Sequence, residues 1–201
     1  MPEEPTTSEA PTTNTTTTES TTTNVVLPSE MEPFSEVIQT YPPHFTNDVF
    51  QEASRYFALH TIDGNEVLLM GVREDHFHIT FLEKVYVLQN GVVIQQKELM
   101  WGGGEFWGSL APVLFENGTI RVGRNNEDDL IFFYYRFEDG ELEFQISLTE
   151  MVDGRFLYRN TTMSPAPVNS ITREEFERLR QEMEGNGQTV EFNWHPLAEL
   201  G

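Results

Sequence analysis

The hydrophobic pattern of the first part of the chain changes from helical to strand-like spacing. In SEMEPFSEVIQTY the apolar residues recur at spacings that share one helix face, namely Phe34, Val37, Ile38 and Tyr41. Two prolines directly after Tyr41 should end this helix, because proline lacks a backbone donor and biases the preceding residue to extended geometry. A second short helix is predicted over Asn47 to Tyr56.

Alternation of apolar and polar residues then predicts a series of short strands. These are Phe57–Ile62, Glu66–Val72, His76–Leu82, Lys84–Gln89, Val92–Glu98, Gly118–Arg124, Leu130–Phe137, Glu141–Leu148 and Gly154–Arg159. Asp63-Gly64, Asn90-Gly91 and Asp139-Gly140 are strong signals for tight hairpin turns between them. Leu130–Phe137 is apolar on both faces and should be a central strand.

The C-terminal part predicts one more helix and one more strand. Thr172 is a good N-cap with Glu175 three residues later, and Gly185 should end the helix. Alternating apolar residues over Val190–Trp194 predict a final strand. The predicted fold is therefore mainly β (α+β): an antiparallel meander sheet, curved or partly closed into a barrel, with N-terminal and C-terminal helices packed on it.

Composition divides the chain into two parts. Residues 1–24 are rich in Thr, Pro and Glu and hold no large apolar residue beyond Met1, so we expect a disordered stalk. Residues 25–201 are long enough for a single β-rich globular domain with its own core. A stalk implies an anchor, and we expect Met1 to follow a removed signal peptide and lipid-attachment cysteine.

The charge of the chain excludes several classes of partner. It has 33 acidic and 12 basic residues, a formal net charge of -21, which repels nucleic acid and anionic membrane surfaces. The absence of cysteine excludes disulfides, cysteine-ligated metals and thiol catalysis. We expect a monomer that contacts a membrane only through the removed anchor and binds an envelope or host ligand that the sequence does not identify.

Three motifs resemble a known family when they are taken in order. They are FALHTIDGNEVLLMG from Phe57 to Gly71, YVLQNG from Tyr86 to Gly91, and SITREEFERLRQEM followed by VEFNWHPL between Ser170 and Leu197. Together with the Thr-rich stalk they resemble a family of uncharacterised extracellular lipoproteins from streptococci, enterococci and their relatives. The resemblance implies a lipid-tethered domain outside a Gram-positive membrane, and it implies no catalytic residue.

The Asp63-Gly64-Asn65 turn has two interpretations. Calcium needs six to eight oxygen ligands, and members of the resembled family often have a longer turn with more carboxylates. Here only Asp63, Asn65 and Glu66 are close oxygen donors. We therefore favour a plain hairpin turn over a calcium site at these residues, and predict no cofactor.

The glycine-rich loop WGGGEFWG is the candidate ligand-binding segment. It lacks the lysine and spacing of a phosphate-binding loop. Trp101, Phe106 and Trp107 could stack on a sugar or hold an apolar side chain of a peptide. We favour burial of both tryptophans as caps of the open end of the sheet, because large aromatic side chains are usually buried. Trp101 should be the more buried tryptophan, because it extends the preceding strand.

Catalytic and metal signals are weak. His76 and His78 share a strand face but have no evident third ligand, and no serine lies in a nucleophile motif. The leading hypothesis is a non-enzymatic cell-surface domain. The alternatives are a carbohydrate- or peptide-binding module that uses the Trp101–Trp107 loop, and an envelope hydrolase with an acidic pair.

Overall fold

The computed structural model describes residues 29–45, 53–74, 81–96, 109–126, 128–160 and 168–200. The helices in these ranges are a 3-10 helix Ser29–Phe34, α1 (Ser35–Thr40), α2 (Arg173–Glu184) and a 3-10 helix Leu197–Leu200. The strands are β1 (His44–Phe45), β2 (Ala53–Ile62), β3 (Asn65–Glu74), β4 (Phe81–Gln89), β5 (Val92–Gln95), β6 (Ser109–Phe115), β7 (Ile120–Asn126), β8 (Asp129–Glu138), β9 (Glu141–Glu150), β10 (Phe156–Arg159), β11 (Asn169–Ile171), β12 (Thr189–Val190) and β13 (His195–Pro196).

The strands form two antiparallel sheets. The first sheet has six strands in the order β1-β2-β3-β4-β5, with β13 also paired to β2. The second has seven strands in the order β11-β10-β9-β8-β7-β6-β12, so β8 is central, as its two apolar faces predict. The predicted mainly β, antiparallel fold is confirmed. The strands divide between two sheets instead of one, and these described sheets do not close into a barrel.

The two sheets are the inner layers of a four-layer arrangement. Their facing surfaces share one core, in which Ala58 and Leu69 of the first sheet pack with Ile120 of the second. The outer surface of the first sheet is covered by the N-terminal helices through Phe34 and Ile38. The outer surface of the second sheet is covered by α2. The central strands of each sheet are thus covered on both faces, whereas β5 at the edge of the first sheet stays exposed.

Three hairpin turns have the left-handed backbone that their residue types predict. The φ angles are 54° and 79° at Asp63-Gly64, 50° and 77° at Asn90-Gly91, and 53° and 83° at Asp139-Gly140. Positive φ at both central residues is the type I′ turn, whose twist matches that of the flanking strands. The predicted pairings across these turns are confirmed.

Two predicted elements are wrong in part. The helix predicted over Asn47 to Tyr56 is a strand from Ala53 onward, because Ala53–Ile62 pairs along its whole length with Asn65–Glu74. The rest of that prediction lies outside the described residues. The strand predicted over Val190–Trp194 is also wrong: Val190 pairs with β6 of the second sheet, whereas His195 pairs with β2 of the first.

The end of α2 is held to the second sheet by a buried carboxylate. Glu184 accepts hydrogen bonds from Arg121 at 2.6 Å, Tyr134 at 2.8 Å and Arg180 at 3.3 Å. Burial, followed by the Glu184 carboxylate, raises the pKa of Tyr134. Thr172 caps the other end of α2 by accepting from the Glu175 amide, as predicted.

No helix in the described part of the chain could span a membrane.

Candidate functional site

The predicted tryptophan loop lies outside the described residues. Trp101, Phe106 and Trp107 fall between the described ranges, and so do His76 and His78. The loop therefore stays a prediction. Among the residues that are described, no group of three or more histidines and carboxylates is arranged to hold a metal ion.

Two of the three candidate calcium ligands lie on opposite faces of the first sheet. Asn65 and Glu66 are neighbours in β3 and so lie on opposite faces of the sheet. The Asn65 amide donates to the carbonyl oxygens of Ile62 and Asp63, at 3.4 Å and 3.3 Å. That side chain thus stabilises the turn from within. The geometry of this stretch is that of a hairpin turn.

A groove opens between the two sheets beside this same turn. It has a volume of about 290 Å³ and is bounded by the end of β2, the β6–β7 turn and β12. Its apolar lining consists of Ile62, Leu114, Phe115 and Val190, and its polar lining consists of His60, Thr61, Asp63, Glu116 and Asn117. We call it the inner groove. Small-molecule sites usually measure about 300–1,000 Å³, so this volume suits a single side chain or sugar unit.

A second hollow lies on the other side of the same strand. It measures about 240 Å³ and is lined by Leu59, His60, Thr61 and Glu66. Thr61 and Glu66 are directly paired across β2 and β3, so they share the outer face of the first sheet. We call this the outer hollow. It shares His60 and Thr61 with the inner groove.

The strand that separates the two hollows has an unpaired edge. On the side away from β3, β1 pairs with Ala53 and Ser54, and β13 pairs with Tyr56 and Phe57. No strand among the described residues continues this pairing along Ala58–Ile62. The segment after β12 runs beside this part of β2 without pairing as a strand, since His60 contacts both the Glu191 carbonyl oxygen and the Phe192 ring.

Backbone groups along Ala58–Ile62 point away from β3 at alternate residues. The Arg55 amide donates to the Pro43 carbonyl on the β1 side, at 2.9 Å. Pairing of β2 with β3 continues from Ala53 to Ile62 without a register shift. The N–H and C=O groups of successive residues therefore point alternately towards β3 and away from it. Leu59 and Thr61 therefore direct their N–H and C=O groups to the same side as Arg55, away from β3.

The rims of both hollows are acidic. Asp63 and Glu116 stand at the inner groove and Glu66 at the outer hollow, all exposed. None of the three carboxylates forms a hydrogen bond or ion pair with a described residue. The described walls contain no lysine or arginine. These rims thus present uncompensated negative charge around polar and apolar surface.

Contacts from distant parts of the chain hold the walls of the inner groove. The Asn117 amide donates to the Met183 carbonyl at the end of α2, at 2.9 Å. The Glu116 amide donates to the Gln188 carbonyl at 3.0 Å. His60 Nε2 and the Glu191 carbonyl oxygen are 3.2 Å apart. The groove is therefore a preformed feature of the described fold.

Comparison with protein-family models, curated proteins and solved structures finds no match.

Sequence reasoning identified only one of the three segments that form the inner groove. His60 to Asp63 belongs to the stretch that predicts a hairpin turn and Val190 to the predicted final strand, whereas Glu116 and Asn117 have no predicted role. These residues lie far apart in the chain and meet because β12 pairs beside β6. No pattern in the nearby sequence predicts that pairing, because the alternation of apolar and polar residues around Val190 predicts only that its side chain is buried.

Proposed function

We propose that this chain is a non-enzymatic domain, displayed on its Thr-rich stalk at the surface of a Gram-positive cell, that binds a peptide at the inner groove. The sequence features that support surface display are the Thr-rich segment and the resemblance to extracellular lipoproteins. The strongly acidic composition supports a protein or peptide ligand over nucleic acid.

The observation that carries the binding proposal is the composition of the inner groove. Val190 is a half-buried apolar residue of its lining with Ile62 and Leu114 buried behind it, while the Asp63 and Glu116 carboxylates at the rim pair with no described residue. Binding sites usually combine an apolar lining with a few polar groups that orient the ligand. The volume fits one side chain of a peptide and leaves the remainder of the ligand outside.

The binding site can be tested by amide NMR titration of the isotope-labelled protein. The probes are a pool of random-sequence hexapeptides and, separately, chitotetraose as a representative envelope sugar. We expect the peptide pool to shift the amides of Thr61, Asp63 and Asn117 in a concentration-dependent way. Peptide-induced shifts confined to other regions, or none at all at millimolar peptide, would overturn the inner groove as the site.

The non-enzymatic and cell-surface parts of the proposal need separate measurements. Mass spectrometry of the recovered peptide pool and of chitotetraose should show unchanged masses after prolonged incubation, and hydrolysis of either would contradict a purely binding role. In cells that produce the protein, brief protease treatment of intact cells should remove it. Protection equal to that of a cytoplasmic control protein would contradict surface display.

A further inference from the structure

The edge strand β5 exposes apolar side chains to solvent. Ile94 pairs with Val87, which belongs to the core between the two sheets, so Ile94 and Val92 point to the same face as Val87. Their side chains are nevertheless exposed, to 41% for Ile94 and 60% for Val92. The core-facing side of β5 is therefore not covered as the same side of β4 is.

The described part of the second sheet does not extend under β5. Gln96 Oε1 accepts a hydrogen bond from the Leu142 amide at 2.8 Å, which places the first residues of β9 beside the end of β5. The next strand, β10, pairs with β9 only along Ser147–Glu150, towards the other end of β9. Among the described residues β9 is thus the last strand of the second sheet beside β5, which explains the exposure of Val92 and Ile94.

Backbone groups of β5 point away from β4 at alternate residues. The Gln96 amide donates to the Val85 carbonyl oxygen of β4 at 2.9 Å. Because backbone direction alternates along a strand, the N–H and C=O groups of Val93 and Gln95 point to the opposite side, which we call the β5 edge. No described strand pairs with the β5 edge. Such an edge can pair with another extended chain.

The β5 edge is uncharged in a strongly acidic chain. Gln89–Gln96 contains no acidic or basic residue, whereas the whole chain has a formal net charge of -21. Lysine, proline or a bulge usually protects an edge strand from pairing, and Val92–Gln95 contains none of them. Two copies of this acidic chain repel each other, and the β5 edge lets them meet without placing like charges in contact. Neither the inner groove nor the outer hollow is lined by a residue of β5, so these pockets cannot select the side chains of a peptide bound there.

We propose that two copies of this chain associate through their β5 edges, as antiparallel strands related by a two-fold axis. In the register that pairs Val93 of one copy with Gln95 of the other, all of the outward backbone groups of both residues are satisfied. This register is its own mirror under the two-fold axis, so it places the two Ile94 side chains opposite each other. The association is independent of the proposed groove function and replaces the monomer expected from the sequence.

Single cysteines test the register, because the chain contains no cysteine of its own. The two residues at position 94 form a close pair with about 4.5 Å between their Cα atoms, so Ile94→Cys should give a disulfide-linked dimer. The two residues at position 92 lie about 13 Å apart along the strands, so Val92→Cys should link far less. Non-reducing electrophoresis after air oxidation measures both. Chance collisions would favour position 92, the more exposed of the two, so equal or stronger linking there would overturn the proposal.

Sedimentation equilibrium tests the association without a covalent link. The average mass of the wild type should rise with protein concentration, and the rise should be larger at about 0.5 M than at about 0.05 M salt, because salt screens the repulsion between acidic copies. Ile94→Lys removes apolar contact and opposes two like charges, so it should weaken the association at least about tenfold. The matched control is Val152→Lys, which makes the same charge change at a valine that is 70% exposed outside β5 and should leave the association unchanged.

The remaining outcomes are equally decisive. A wild type that stays monomeric at millimolar concentration would overturn the proposal, and so would a dimer that Ile94→Lys leaves intact. Should urea melts show that Ile94→Lys does not fold, the two cysteine variants decide the question. None of these results affects binding at the inner groove, which the peptide titration tests separately.

Discussion

Replacing Tyr134 by phenylalanine should have opposite effects in two backgrounds. Tyr134 is fully buried and its hydroxyl donates to Glu184 Oε1 at 2.8 Å. Arg121 donates to the same oxygen at 2.6 Å, so Glu184 keeps partners when the hydroxyl is removed. Hydrogen bonds to charged groups contribute about 1.5–3 kcal/mol, and we expect Tyr134→Phe to cost about 1.5 kcal/mol, the lower end.

The second background is Glu184→Ala. The Glu184 side chain is 11% exposed, and breaking a buried ion pair costs about 3–5 kcal/mol. Arg121 and Arg180 are 22% and 41% exposed and can turn to water, so we expect about 3 kcal/mol. This change also leaves the Tyr134 hydroxyl buried without its acceptor, at a cost of about 1–3 kcal/mol. In that background Tyr134→Phe should stabilise the protein by about 1 kcal/mol.

Urea melts at pH 7 of the wild type, both single variants and the double variant give the four free energies of unfolding. The expected coupling between the two positions is about 2.5 kcal/mol. Tyr158→Phe is the control, since its hydroxyl forms no hydrogen bond with a described residue, and it should change stability by less than about 0.5 kcal/mol in either background. If Tyr134→Phe costs the same with and without Glu184, the hydroxyl does not bind that carboxylate and the account of the α2 end is wrong.

Three further perturbations test the core. Burial raises the pKa of Tyr134 and Tyr135, so their hydroxyls lose protons at lower pH in the unfolded chain than in the folded one. The free energy of unfolding should therefore be unaffected by these two groups below about pH 10 and fall above it by about 1.4 kcal/mol per pH unit for each tyrosine. Urea melts at pH 8 and pH 11 measure this, and equal stability would contradict it. Gly123→Ala places a Cβ 2.7 Å from Leu110 Cδ1 and should cost about 1–3 kcal/mol in the same melts; a neutral result would show that Leu110 moves aside freely. Phe176→Ala should cost about 3–5 kcal/mol, and a loss below 1 kcal/mol would mean that α2 does not pack as described.

Local chemistry made part of the fold predictable. Asp-Gly and Asn-Gly pairs tolerate positive φ, so the turns at Asp63, Asn90 and Asp139 could be placed from residue types alone. Thr172 and Gly185 marked the ends of α2 for a similar reason, since each satisfies backbone groups that a helix end leaves unpaired. These elements depend on neighbours within a few residues.

The division of the strands between two sheets could not be predicted in the same way. The alternation of apolar and polar residues predicts which side chains of a strand are buried. It does not predict which other strand pairs with that strand. Val190, Phe192 and Trp194 show this well: their side chains alternate inward as predicted and pack on the core between the sheets. The backbone meanwhile leaves β6 and joins β2. The inner groove depends on this crossing, so its residues could not be grouped from the sequence.

The path of the chain from β6 to β2 after Val190 makes completion of the fold a late event. His195 pairs with Phe57, and Leu197 packs in the same cluster as Phe34, so the first sheet receives its last contacts from the end of the described chain. Most other pairings join strands that are neighbours in sequence and can form early. Loop closure over such a long segment is slow, because its entropy is lost before any contact compensates it. While the chain from Thr189 onward is still held in the ribosome, the inner groove lacks the wall that Val190 forms.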